Sequence, residues 1–177
     1  MIEREDIVAA VIAAAGGELT GRVRLQKTVY LLERLGLNSR FRFEYHHYGP
    51  FSRDLDNAMA DARAFGLVEE RPEHRQSDGA AYSVFKLKPE ATTKSEAYGD
   101  LGETEAGRLV KLFGATNVTV LELAATVDWL WRFERVRNWE SEIRKRKGVK
   151  VQGGRLEEAI KLLGTLGLNP PAVADAA

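Results

Sequence analysis

The apolar residues of this chain change their spacing more than once, and those changes restrict the fold more than any other feature. Ile7, Val8, Val11 and Ile12 share one face of a helix over about 3–15, stopped by Gly16-Gly17. A second helix is expected after Thr20 as N-cap, with Leu25, Val29, Leu32 and Leu35 at helical spacing and Gly36 behind it. From Phe41 the repeat drops to two: Phe41, Phe43, Tyr45 and His47 alternate with Arg42, Glu44, His46 and Tyr48, as in a strand or extended segment. Gly49-Pro50 ends that segment, and Ser52 is placed to cap a third helix carrying Leu55, Met59, Ala62 and Phe65, with Gly66 at its end. Two short strands follow, 67–71 and 82–87, joined by a polar stretch around Ser77-Asp78-Gly79 that reads as a mobile wing. Helix, helix, then hairpin predicts an α+β fold, predominantly helical, with a winged-helix-like core, one β-hairpin and further helices towards the C-terminus.

After a polar linker, Pro89 to Glu103, helical spacing returns. Leu109, Leu112 and Phe113 mark one helix, ended by Gly114. The next opens on a capping box, Thr119 with Glu122, flanked by Val118 and Leu123 as a hydrophobic staple, and runs through Val127, Leu130 and Trp131. A further helix is expected from Trp139 to Arg146, and a last one with Leu156, Ile160 and Leu163 on one face. The expected organisation is a core over 1–90, a helical extension packed on it over 104–168, and a frayed tail over 169–177.

The chain has 177 residues, of which 44% are hydrophobic, enough to build a real core and to exclude global disorder. It contains no cysteine, which excludes a disulfide scaffold, a thiolate zinc site and a cysteine nucleophile together. The apolar run from Ile7 to Ala15 is too short to span a bilayer and follows acidic residues where a signal peptide carries positive charge, so a cytoplasmic protein with no membrane partner is expected. Net charge is +0, but it is segregated. Basic residues dominate from Thr20 to Arg53 and from Arg132 to Arg155, and acidic ones from Asp54 to Glu105. Such a distribution suits either an anionic partner or a surface whose charges pair with one another.

The phosphate-binding, dinucleotide, serine-hydrolase and zinc-protease signatures are all absent. His46 and His47 are adjacent in an extended segment, so they point to opposite faces and do not chelate one metal; one packed and one exposed ring is expected. Asp54 and Asp61 can share a helix face, but nothing marks them as an acid and base. Neither a metal site nor any cofactor is expected. Arg24 and Lys27 interrupt an apolar helix and, three residues apart, are expected to share an exposed face. Trp129 and Trp131 are two apart and cannot share one helix face, so one of them is a candidate partner anchor. Arg144, Lys145, Arg146 and Lys147 form a run that suits either phosphate contacts or a helix C-terminus.

Two stretches carry a resemblance. One is Arg22 to Leu32, with Leu25-Gln26-Lys27 at its centre; the other is Tyr45 to Leu55, with Tyr48-Gly49-Pro50-Phe51-Ser52, followed by Gly66-Leu67-Val68. Together they resemble the Panacea or YwgA-like family, which includes SocA-like antitoxins, over roughly the first half of the chain. The resemblance implies a non-enzymatic prokaryotic binding module of antitoxin or adaptor type, whose partner is a protein such as a toxin or a phage or mobile-element product. Arg24, Lys27, His46, Tyr48, Trp129 and Trp131 are then the expected partner-binding residues. The alternative is a winged-helix DNA-binding regulator using Arg144, Lys145, Arg146 and Lys147. Its would-be recognition helix carries Asp54, Asp56 and Asp61, which repel phosphates. An enzyme with an unrecognised site is the third reading.

Overall fold

The computed structural model describes residues 1–173. The order is α1 (Arg4–Ala14), β1 (Glu18–Thr20), α2 (Arg22–Arg34), β2 (Glu44–His46), β3 (Gly49–Phe51), α3 (Arg53–Ala64), β4 (Val68–His74), β5 (Ala81–Leu87), α4 (Gly102–Gly114), α5 (Val118–Arg132), α6 (Trp139–Lys147) and α7 (Arg155–Thr165). The expectation of a predominantly helical α+β fold holds. Short 3₁₀ turns stand at Ser95–Leu101 and Gly148–Val151.

The strands form two separate sheets. The wing hairpin pairs β4 with β5 from Val68↔Leu87 to His74↔Ala81, so both strands are longer than their apolar content suggested. The short strand β1 joins the other edge of β5, with Leu19 opposite Phe85, to give the antiparallel order β1-β5-β4. Thr20 therefore belongs to a strand rather than capping α2, and Gly21, at φ +96°, takes the N-cap position without a side-chain cap. The second sheet is the β2–β3 hairpin alone, with Tyr45 opposite Pro50 and His46 opposite Gly49. Only Glu44–His46 of the alternating segment pairs as strand; 41–43 is irregular, with Phe41 buried.

Ser52 caps α3 as expected, its hydroxyl accepting from the Leu55 amide. At α5 the N-cap is Asn117, whose side chain accepts from the Thr119 and Val120 amides, and not Thr119. Glu122 is thereby released from the expected capping box. The polar segment before α4 is tied down: Tyr98 is buried and its hydroxyl donates to the Ala10 carbonyl at 2.9 Å.

One continuous apolar cluster runs from Ile7 in α1 to Leu163 in α7. α5 lies at its centre, with every residue from Val120 to Asp128 buried, because it touches α2, β3, α6 and α7 on different sides. Among the described residues no single helix is long and apolar enough to cross a membrane. The indole N–H of Trp139 donates to the Pro171 carbonyl at 2.9 Å, which ties the described part of the C-terminal segment to α6. Residues 174–177 of the expected frayed tail lie outside the described residues.

Candidate functional site

The Leu25-Gln26-Lys27 segment and the Tyr48 to Ser52 turn meet in space, and the contact explains both. The side-chain amide of Gln26 substitutes for a strand neighbour: its Nε2 donates to the Ser52 carbonyl at 2.9 Å and its Oε1 accepts from the Ser52 amide at 2.8 Å. One residue on, the ammonium of Lys27 donates to the Pro50 carbonyl at 2.6 Å. Gly49 has φ +87°, and a Cβ there would overlap the hydroxyl of Thr126 on α5. Only glycine satisfies both the backbone angle and the close approach.

Lys27 is 1% exposed, so the expected exposed face shared with Arg24 does not exist. The helix is covered on that side by the β2–β3 hairpin and α5, which are distant in sequence. Arg24 is half-buried and serves the end of α4, its guanidinium donating to the carbonyls of Phe113 at 2.6 Å and Thr116 at 2.7 Å. Burial lowers the pKa of that guanidinium.

Beneath the hairpin stands a buried carboxylate. Glu122 Oε1 accepts from Lys147 Nζ at 2.7 Å and from Lys150 Nζ at 3.0 Å, and Oε2 accepts from Lys150 at 3.1 Å. Lys147 also donates to the His47 carbonyl at 3.1 Å, and the Lys150 ammonium lies 4.9 Å from the centre of the Tyr48 ring. Arg146 lies over Tyr45 at 4.7 Å. The hairpin is thus held by cations from α2, from α6 and from the segment after it. Burial lowers the pKa of Lys27 to about 7, opposed by Glu122 and reinforced by Lys147 and Lys150. Burial also lowers that of Lys147, against the pull of Glu122.

The hairpin forms one wall of an open groove of about 1280 Å³, whose other walls come from the start of α2, the wing and the α4–α5 turn. Arg22, Arg24, Lys27, Arg75 and Lys150 supply cations along it; Tyr48, Phe51 and Tyr82 supply aromatic surface; Asp56 is the one carboxylate among its described lining residues. Asp56 Oδ1 accepts from Gln26 at 3.0 Å. Arg22 is ion-paired with Glu70, and Arg75 with Asp78 at 2.8 Å.

Of the residues singled out in the sequence, Arg24, Lys27, His46 and Tyr48 line this groove together. His46 and His47 are both exposed, contrary to the expectation of one packed ring, because the hairpin is a two-stranded ribbon with nothing laid over it there. The His46 ring lies 4.6 Å from that of Phe51.

Trp129 and Trp131 lie elsewhere and both are half-buried, so neither is an exposed anchor. Trp129 packs 4.8 Å from Phe133 and 6.3 Å from Tyr30, while Trp131 has the Arg132 guanidinium 5.9 Å from its ring. Beside Trp129, the fully buried Asp128 accepts from Tyr30 Oη at 2.6 Å and from Arg34 Nε at 2.8 Å, and burial pushes the Tyr30 pKa up.

The run 144–147 is not a uniform basic patch. Arg144 pairs with Glu140 at 3.2 Å, Arg146 with Glu142 at 2.8 Å and Glu134 at 2.7 Å, and Lys147 is buried on Glu122. Among the described residues Lys145 alone of the four has no acidic partner within 4.0 Å.

Gln26, Asp56 and Glu122 stood out in the sequence in other roles, as a motif residue, a helix acid and half of a capping box, and not as parts of one site. A glutamate inside the apolar run Val118 to Val127 was the available sign of Glu122, and the capping-box spacing concealed it.

No family model matches the chain. It is 31% identical over 131 residues to a DNA ADP-ribosyl glycohydrolase of Thermus aquaticus, a match covering 71% of this chain and 34% of that protein. The chain thus spans about a third of that relative's length. It is 21% identical over 153 residues to the uncharacterized protein YwgA of Bacillus subtilis, covering 85% of this chain and 89% of that one. The likeness to YwgA supports the YwgA-like part of the resemblance. The likeness to a protein named as a glycohydrolase overturns the expectation of a non-enzymatic antitoxin- or adaptor-like module.

Proposed function

We propose that the groove receives a nucleic-acid strand bearing ADP-ribose and that the chain serves the hydrolytic removal of that group. The observation that carries the reading is the composition of one groove: cations at Arg22, Arg75 and Lys150, each also held by a carboxylate beside the groove (Glu70, Asp78 and Glu122), aromatic faces at Tyr48, Phe51 and Tyr82, and Asp56 as the one carboxylate among the described lining residues. Phosphates bind such cations, and bases stack on such rings. The name of the Thermus aquaticus relative supports the substrate class.

Hydrolysis of a glycosidic bond adds water across it: the hydroxyl goes to the anomeric carbon and the proton to the departing base. A carboxylate that takes the proton from the attacking water lowers that barrier. In this reading Asp56 takes it, positioned through the 3.0 Å hydrogen bond from Gln26, whose amide is itself fixed on Ser52.

The test is release of ADP-ribose from a modified single-stranded oligonucleotide, together with its binding by fluorescence anisotropy. Asp56→Asn is expected to slow release by about 10²–10⁴-fold with binding retained. Lys150→Gln and Arg75→Gln are expected to weaken binding and flatten its salt dependence. No release by the wild-type chain would refute the hydrolytic reading, and unaltered binding in both groove variants would refute the choice of groove.

A further inference from the structure

The hairpin end of the groove holds an imbalance of charge. Three ammonium groups, Lys27, Lys147 and Lys150, act on a single carboxylate, Glu122. Lys27 is 1% exposed and Lys147 7% exposed, so water does not screen them as it screens surface lysines. Glu122 is already shared by Lys147 and Lys150, and among the described residues the one hydrogen-bond acceptor of Lys27 is the neutral Pro50 carbonyl. Buried cations are ordinarily balanced by anions, and here the two buried lysines have one carboxylate between them, which the 38% exposed Lys150 side chain also shares. Lys27 and Lys150 both belong to the lining of the groove, so the missing negative charge has an open route to the exposed Lys150 and comes close to the buried Lys27. The first turn of α2 lines the same groove; its Arg22, Val23 and Arg24 amides precede the first bond of that helix, which Leu25 makes to the Gly21 carbonyl.

We propose that the Lys27–Lys150 end of the groove is a phosphate subsite, completed by a phosphoryl group that supplies the negative charge the lysine cluster lacks. The inference rests on the groove being the ligand site and specifies which part of the ligand this end takes. Lys150 reaches the phosphoryl oxygens from the rim beside Tyr48, and Lys27 acts from behind the wall through its charge. The phosphoryl group belongs either to the diphosphate of ADP-ribose or to the backbone of the strand.

A consequence follows for protons. With its pKa lowered to about 7 by burial, Lys27 is only partly protonated at neutral pH, and a nearby anion favours the charged form. Binding therefore takes up a proton near pH 7, and affinity falls as pH rises through that value.

The experiment is calorimetric titration of the full chain with two probes that do not titrate between pH 6 and 9: ADP-ribose, and a short unmodified thymidine oligonucleotide. Each is measured at two pH values and in buffers of different ionisation enthalpy. Lys150→Gln is expected to weaken binding about tenfold, and raising the pH from 6.5 to 8.5 to weaken it by a similar factor. Lys27→Met is expected to abolish the proton uptake, whereas Lys145→Gln, outside the groove, changes neither quantity. Binding of ADP-ribose alone assigns the subsite to the diphosphate, and of the oligonucleotide alone to the strand backbone; either supports the proposal. Binding of neither probe, or binding indifferent to both Lys150→Gln and pH, overturns it. Because no bond is cleaved, absence of glycohydrolase activity leaves this result standing, and hydrolysis unaffected by Lys150→Gln would overturn the subsite alone.

Discussion

Gly49 makes two demands that can be separated, and replacing it with alanine tests whether both are real. Its φ of +87° disfavours any side chain, at about 1–2 kcal/mol. A Cβ there would also overlap Thr126 Oγ1, and overpacking of this kind costs about 1–3 kcal/mol. Gly49→Ala should therefore lower stability by about 2–5 kcal/mol in total. Thr126→Ala removes the obstacle. Its hydroxyl donates to the Glu122 carbonyl of its own helix at 2.7 Å, so little else is lost. In the Thr126→Ala background, Gly49→Ala should cost only the backbone part, giving a coupling of about 1–3 kcal/mol between the two sites. The assay is urea denaturation of the four proteins, followed by tryptophan fluorescence and far-ultraviolet circular dichroism to confirm coincident transitions. An equal loss in both backgrounds, with coupling under about 0.5 kcal/mol, would refute the claim that α5 dictates glycine at the turn.

Two further outcomes follow from the buried charges. Burial lowers the Lys27 pKa from its ordinary value of 10.5 to about 7, so the unfolded chain binds more protons between these values and stability should rise with pH across that window. Lys147, also lowered, adds to the rise. Urea midpoints at pH 7 and 9 should show a smaller increase for Lys27→Met than for wild type, and equal increases would show that Lys27 titrates normally. Asp128→Asn keeps the shape of the side chain but removes the charge that holds Tyr30 and Arg34, and should cost about 1.5–3 kcal/mol. A melting temperature within 1 °C of wild type, against an expected fall of roughly 3–12 °C, would rule that out.

What could be read in the sequence was what short-range chemistry decides. Ser52 caps α3 because that effect involves only neighbours along the chain. Lys27 was misplaced because its burial comes from the β2–β3 hairpin and α5, which no local repeat brings to it. Glu122 matched a capping-box spacing with Thr119, but Asn117, two residues earlier, supplies the cap and leaves the carboxylate to the interior. The spacing of Trp129 and Trp131 correctly set them on different sides of α5. It did not reveal that α5 is surrounded, which leaves neither of them fully exposed. The groove follows the same division: its aromatic and basic residues were visible singly, while their convergence needed contacts across the chain.

The hairpin that walls the groove has only two strands of three residues each, too little backbone pairing for an isolated ribbon to stay ordered in water. Its order must come from side chains of other elements, and most of those that grip it are cations. Lys27 holds the Pro50 carbonyl, Lys147 the His47 carbonyl, Lys150 the face of Tyr48 and Arg146 the face of Tyr45. Gln26, on Ser52, is the neutral exception. Lys150 also faces the groove and Lys27 stands just behind its lining, so the charges that fix the wall are the charges that act on an anionic ligand. An anion drawn to them competes with nothing the hairpin needs, since Lys27 keeps its carbonyl and Lys150 its ring. It instead relieves the mutual repulsion of the ammoniums, so occupancy should tighten the wall rather than loosen it.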